Sequence, residues 1–149
     1  MKNFYLIFIA LSMGLSSCFI YAQDNKANKF DYNYQGNSAE VILSEIEDGI
    51  AKGNISELFK HLSSHTYFSL NNGIRGYYSS NQAYYILEDF FKIYHVLSFR
   101  FHSKKIEEEN PYATGIYFYE FKGKRETAQA YISLKNTGKS WKIIQITFN

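Results

Sequence analysis

Four residue types in this sequence could do chemistry: histidine, the acids, cysteine and tyrosine. Their spacing decides how much. His61 and His65 are four apart, a separation that can put two imidazoles on one helical face as metal ligands. The helix predicted here ends near Ser63-Ser64, between them, and no third ligand stands at a recognisable spacing. The pair is therefore read as side chains at a half-exposed helix end. Glu107-Glu108-Glu109 lacks the loop glycine and alternating ligands of a calcium loop and reads as a solvated turn. Among the single acids, Asp89 lies outside the apolar stripe of its helix and Glu126 follows a turn. Glu120 shares a predicted strand face with Ile116 and Phe118. A carboxyl buried there would hold its proton more tightly and could serve as a base. No two acids share a convincing geometry. The chain has no Gly-x-Ser-x-Gly elbow and no phosphate-binding loop. Asn54-Ile55-Ser56 matches a glycosylation sequon, but Asn54 is better placed as a helix cap. No metal or cofactor is expected.

Cys18 is the single cysteine, so no disulfide framework is possible. It stands beside a leader. Lys2 supplies a positive start and Phe4 to Leu15 an uncharged apolar run, which together read as a secretory signal over residues 1–22. Two processing sites compete. Leu15-Ser16-Ser17-Cys18 matches a bacterial lipobox, in which Cys18 would carry the lipid and tie the chain to a membrane. Cleavage after Ile20-Tyr21-Ala22 would remove the cysteine and leave Gln23 first. The apolar continuation Phe19-Ile20-Tyr21 favours the second site slightly. The expected location is thus periplasmic or secreted, with a lipid anchor as the alternative.

The chain of 149 residues is long enough for one domain with its own core. Apolar residues make up 46%, which argues against disorder. Sixteen basic residues against fourteen acidic ones give no excess of charge for displacing counterions, so nucleic acid is not an expected partner. The unusual figure is 19% aromatic, with 14 Tyr and 13 Phe. Tyr112, Tyr117, Tyr119, Phe121, Tyr131 and Trp141 cannot all occupy one core face. Some must line a cavity or cover a partner.

These residues need elements to position them. Residues 23–38 are polar and without apolar period, and read as a flexible linker to a single domain over 39–149. Ser38 caps a helix whose stripe is Val41, Ile42, Ile46 and Ile50, with Leu43 at its edge and Gly53 ending it. Asn54 opens a short helix carrying Leu58, Phe59 and Leu62. Asn71-Asn72-Gly73 predicts a type I′ hairpin between His65–Leu70 and Ile74–Tyr78. Ser79 or Ser80 caps the strongest helix, with Ala83, Ile86, Leu87, Phe90, Phe91 and Tyr94 on one face. From Val96 the period changes to two. Leu97, Phe99 and Phe101 alternate with Ser98, Arg100 and His102. Strands over Tyr112–Phe121, Arg125–Lys135 and Trp141–Phe148 follow, joined by short turns that enforce antiparallel pairing. Helices followed by a meander predict an α+β fold, with N-terminal helices packed on a curved antiparallel sheet.

The run Tyr78-Ser79-Ser80-Asn81-Gln82-Ala83, leading into Ile86-Leu87 and Phe90-Phe91, resembles the domain of unknown function 4783 family. The order of elements resembles the nuclear-transport-factor-2-like, or cystatin-like, cone. The family resemblance implies small secreted bacterial proteins with no established activity to carry over. The fold resemblance implies a cavity between one sheet face and the helices. Arg100, His102, Tyr117, Tyr119, Gln129 and Tyr131 are its candidate lining, suited to a small apolar or aromatic ligand, although the polar alternation reads more simply as the solvent-exposed face of an antiparallel sheet. Cone-fold isomerases use a pocket carboxylate and tyrosines, which keeps an isomerase or dehydratase as the alternative. The favoured reading is a non-catalytic module that binds a small ligand or a protein, including a second copy docked through an outer sheet face that would present Tyr117 and Tyr119.

Overall fold

The computed structural model describes residues 38–149. The leader over 1–22, Cys18 and linker residues 23–37 lie outside the described residues. Ser38, β-extended, accepts the Val41 N–H through its hydroxyl and opens α1 (Ala39–Ala51). Ile42, Leu43, Ile46 and Ile50 are its buried stripe, so Leu43 belongs to the centre of the face and not its edge. The helix stops where Gly53 takes φ +61°. There the Gly53 N–H donates to the Ile50 carbonyl at 2.9 Å and the Asn54 N–H to the Gly49 carbonyl at 2.8 Å. Those paired bonds satisfy carbonyls that the helix end leaves open, and they need a residue free to adopt positive φ. Asn54 then caps the five-residue α2 (Ile55–Phe59).

β1 (Leu62–Leu70) contains the expected His65–Leu70 but starts three residues earlier and absorbs Leu62, which the sequence assigns to a helix. It pairs with β2 (Arg75–Ser79), and the Leu70 N–H donating to the Ile74 carbonyl at 2.9 Å closes a three-residue loop, Asn71 to Gly73. Only Gly73 is left-handed there, at φ +91°. The turn is therefore a type I turn closed by a glycine bulge, in place of the expected type I′. Ser79 ends β2 and caps α3 (Ser80–Ile93) with a full capping box, its partner Gln82 reaching back to the Ser79 N–H at 3.0 Å. Ala83, Leu87, Phe90 and Phe91 are the buried face of α3.

β3 (His95–Lys105), β4 (Tyr112–Phe121), β5 (Lys124–Asn136) and β6 (Trp141–Phe148) form the antiparallel meander. The type I′ turn occurs here, with Lys122 at φ +50° and Gly123 at +75°. The sheet order is β2-β1-β6-β5-β4-β3. Four of its joins are antiparallel, but β1 lies parallel to β6, which makes the sheet mixed and not wholly antiparallel as expected. Short turns dictate pairing only between consecutive strands, and β1 meets β6 across the whole domain. The Thr66 hydroxyl donates to the Ile143 carbonyl at 3.0 Å, and the Ile143 N–H to the His61 carbonyl at 2.7 Å, tying this join.

The α+β class holds: α1 and α3 cover one face of the curved sheet. That inner face carries Phe99, Phe101, Tyr117, Tyr119, Ala128, Ala130, Ile132, Ile146 and Phe148, all buried. Leu97 was expected to join Phe99 and Phe101. A register shift between Val96 and Ser98 turns it outward, and it is exposed. The edge of β3 is guarded by α1. Glu47 Oε1 accepts the Phe101 N–H at 3.0 Å, while Oε2 sits 3.3 Å from Lys104 Nζ.

Candidate functional site

The six residues proposed to line one site fall on two faces of the sheet. Tyr117 and Tyr119 point inward; Arg100, His102 and Gln129 are exposed on the outer face, and Tyr131 is half-buried there. The structure brings the four outer residues onto one surface. It separates them from the two core tyrosines by the thickness of the sheet.

The inner face is filled with rings. Tyr117 is fully buried, with its ring 5.0 Å from Phe148, 5.3 Å from Tyr119 and 6.1 Å from each of Phe90 and Phe91. Phe90 and Phe148 stack at 5.3 Å with planes only 8° apart. The Tyr117 hydroxyl donates to the Tyr94 carbonyl at 2.5 Å, which satisfies a polar group at the helix end. Burial pushes its pKa up, reinforced by Tyr119. Such a tyrosine is a structural member of the core.

Tyr119 sits nearer the rim. Its hydroxyl donates to Glu126 Oε2 at 3.2 Å and accepts from the Asn71 side-chain amide at 3.3 Å. Burial raises its pKa, as does the hydrogen bond and charge of Glu126. This acid–tyrosine contact was not anticipated, although its signal was available. A two-residue turn at Lys122-Gly123 pairs Tyr119 with Glu126 by counting back from Phe121 and Lys124. Glu126 itself is exposed, and Asn71 comes from a hairpin whose place no local pattern reveals. Glu120, the acid singled out from the sequence, lies exposed on the outer face. Asp89 is exposed on α3, 3.9 Å from Lys92.

On the outer face the sheet aligns Arg100, Ile116 and Gln129 in one row and Thr114, Tyr131 and Thr147 in the next. Tyr112 stacks on Tyr131 at 5.3 Å, and Tyr67 meets Tyr77 at 5.1 Å. Phe118 is 44% exposed although it stands between covered neighbours on β4. His102 Nε2 lies 3.2 Å from the Thr114 hydroxyl. The centre of this surface is neutral and aromatic. Its rim holds Arg100 on one side and the Glu120–Arg125 register pair on another.

His61 and His65 do not share a helical face, because α2 ends at Phe59. His65 is exposed on β1, whereas His61 is buried with Nε2 2.9 Å from Glu45 Oε2. Burial lowers the His61 pKa below its usual value, with Glu45 pulling it back. Among the described residues no group of three or more His, Cys, Asp or Glu is placed to hold a metal ion, and no helix is long and apolar enough to cross a membrane.

A filled α-helical layer over a six-stranded curved sheet defines a nuclear-transport-factor-2-like α+β domain. Residues 43–149 match the domain of unknown function DUF4783, and the chain belongs to that family. Its backbone is similar to a DUF4783 protein from Bacteroides uniformis, with a TM-score of 0.65 and 18% identity over 71% of this chain and 94% of that one. A second, from Bacteroides ovatus, matches at a TM-score of 0.62 and 16% identity, over 70% of this chain and 90% of the other. A designed nuclear-transport-factor-2-like protein with a long sheet matches at 0.60 and 12% identity, over 75% of this chain and all of its own. No curated protein matches the chain.

Proposed function

We propose that this is a non-catalytic, exported interaction module that docks a second copy of itself through the outer face of its sheet. The observation that carries the reading is the division of aromatics. The face that would hold a substrate in a cone fold is packed with Tyr117, Phe90, Phe91 and Phe148, while Phe118 stands 44% open on the opposite face. Solvated aromatic surface of this kind is characteristic of interfaces. A symmetric dimer needs a self-complementary patch. Here a neutral centre around Ile116, Phe118 and Tyr131 is flanked by Arg100 and Glu120, so both signs are present at the rim. Rim charges of both signs set orientation more than affinity. Export rests on the leader at residues 1–22, and a membrane anchor would follow only from lipid on Cys18.

Phe118→Ser tests the reading by sedimentation velocity. The natural protein should sediment as two chains and the variant as one, with circular dichroism unchanged because the side chain lies outside the core. Equal sedimentation of the two proteins overturns the assignment of this face.

A further inference from the structure

A hollow of about 470 Å³ lies on the helical side of the molecule, between the α1–α2 turn, the C-terminal half of α3 and the first residues of β3. Its volume is within the range of small-molecule sites. Phe91, Ile55 and Val96 supply the apolar part of a lining that is as much polar as apolar, and Tyr84 forms one wall. The parts are held rigidly. The α1–α2 turn is fixed by its two backbone bonds at Gly53 and Asn54, and α3 is anchored by its capping box and by Phe90 in the core.

The polar groups of the lining are two lysines, a histidine, Asn54, Ser56 and a single carboxylate, Glu88. Lys52, Lys92 and His95 border it. Two of the acceptors in the lining are engaged. Asn54 Oδ1 takes the Glu57 N–H, which leaves its amide NH₂ as a donor, and the Glu88 carboxylate holds Lys92 Nζ at 3.1 Å. Lys52 is only loosely tied, 3.7 Å from an Asp48 that is as exposed as itself. What the hollow offers a visitor is therefore an excess of donors, from Lys52, Lys92, His95 and the Asn54 amide, over the one carboxylate of Glu88, beside Phe91, Val96 and Tyr84.

We propose that this hollow binds a small organic carboxylate with an aryl or acyl body. The carboxylate sits between Lys52 and Lys92, and the body lies on Phe91 and Val96 beside Tyr84. The site is on the opposite side of the molecule from the sheet face assigned to the dimer, so either can fail without the other.

The test is a titration of isotope-labelled protein with 3-phenylpropanoate and with octanoate, followed by amide chemical shifts. The neutral isostere 3-phenylpropanamide is the control. Saturable shifts confined to residues 51–56 and 84–96 are expected for at least one of the two carboxylates. A charge-assisted contact to a carboxylate is worth enough that the amide, or the double variant Lys52→Ala with Lys92→Ala, should bind about tenfold more weakly. Both lysine side chains are more than half exposed, so the fold survives their removal. Tyr84→Ala should weaken the aryl probe more than the acyl one. The proposal is overturned by the absence of saturation up to about 10 mM for both carboxylates, a concentration at which even a weak site fills. Equal binding of the amide, or shifts centred elsewhere, also overturns it.

Discussion

Tyr117 shows how one hydroxyl can be committed to structure. Its hydroxyl hydrogen-bonds the Tyr94 carbonyl inside a cluster of rings. Tyr117→Phe keeps the ring and removes the donor, and should cost about 1–2 kcal/mol in urea unfolding. The native side chain also makes stability depend on alkaline pH. Its folded pKa lies above that of the unfolded chain. The folded protein therefore keeps a proton that the unfolded one loses, and this contribution, intact below about pH 10, fades as pH rises beyond it. Wild type should lose stability from about pH 10 to about 12 more steeply than Tyr117→Phe; parallel profiles would show that the hydroxyl is not protected. His61 gives the opposite sign. Burial depresses its folded pKa below 6.5, against Glu45 and with Lys60 and Lys142 nearby. Stability present above that pH should be lost as it falls, and His61→Gln should flatten the loss in a series of melting temperatures from pH 7 to about 5. At this scale the sequence was informative about caps, since Ser38, Asn54 and Ser79 all act as written. It was uninformative about sides. Nothing in the alternation of β4 says whether the row of Tyr117 or that of Phe118 meets α3.

The elements depend on irregularities that no periodic pattern encodes. β3 shifts register twice against β4, between Val96 and Ser98 and between Phe101 and Ser103. The first shift exposes Leu97; the second brings the backbone of Arg100 close to Gly115. A Cβ on Gly115 would lie 2.5 Å from the Arg100 carbonyl oxygen. Gly115→Ala must therefore push two strands apart, and should cost about 1–3 kcal/mol by thermal or urea unfolding. An unchanged midpoint would show that the strands tolerate the separation freely. The parallel β1–β6 join was equally invisible, because it unites strands far apart in sequence. By contrast, the stripes of α1 and α3 and the turn at Lys122-Gly123 were legible, since their signals lie within a few residues. The candidate site suffered from the same asymmetry. Strand period places Arg100, His102, Gln129 and Tyr131 on one face, but it does not say which face Tyr117 and Tyr119 share, and they belong to the other. The hollow beside Gly53 joins residues from three elements and could not be assembled from any one stretch.

For the molecule as a whole, aromatic content decides the functional argument. A cone fold offers one concave face, and this chain spends its large rings there on packing. Aromatic surface left on the other face must be hydrated unless something covers it. At about 25 cal/mol per Å² of apolar surface, covering it favours association, though only a surplus over the entropy of docking becomes affinity. The measurement that meets this most directly is the molar mass of the natural protein by light scattering across a dilution series. A mass of two chains at high concentration, falling towards one on dilution and already at one for Phe118→Ser, is the expected result. A mass of one chain at every concentration would contradict the account.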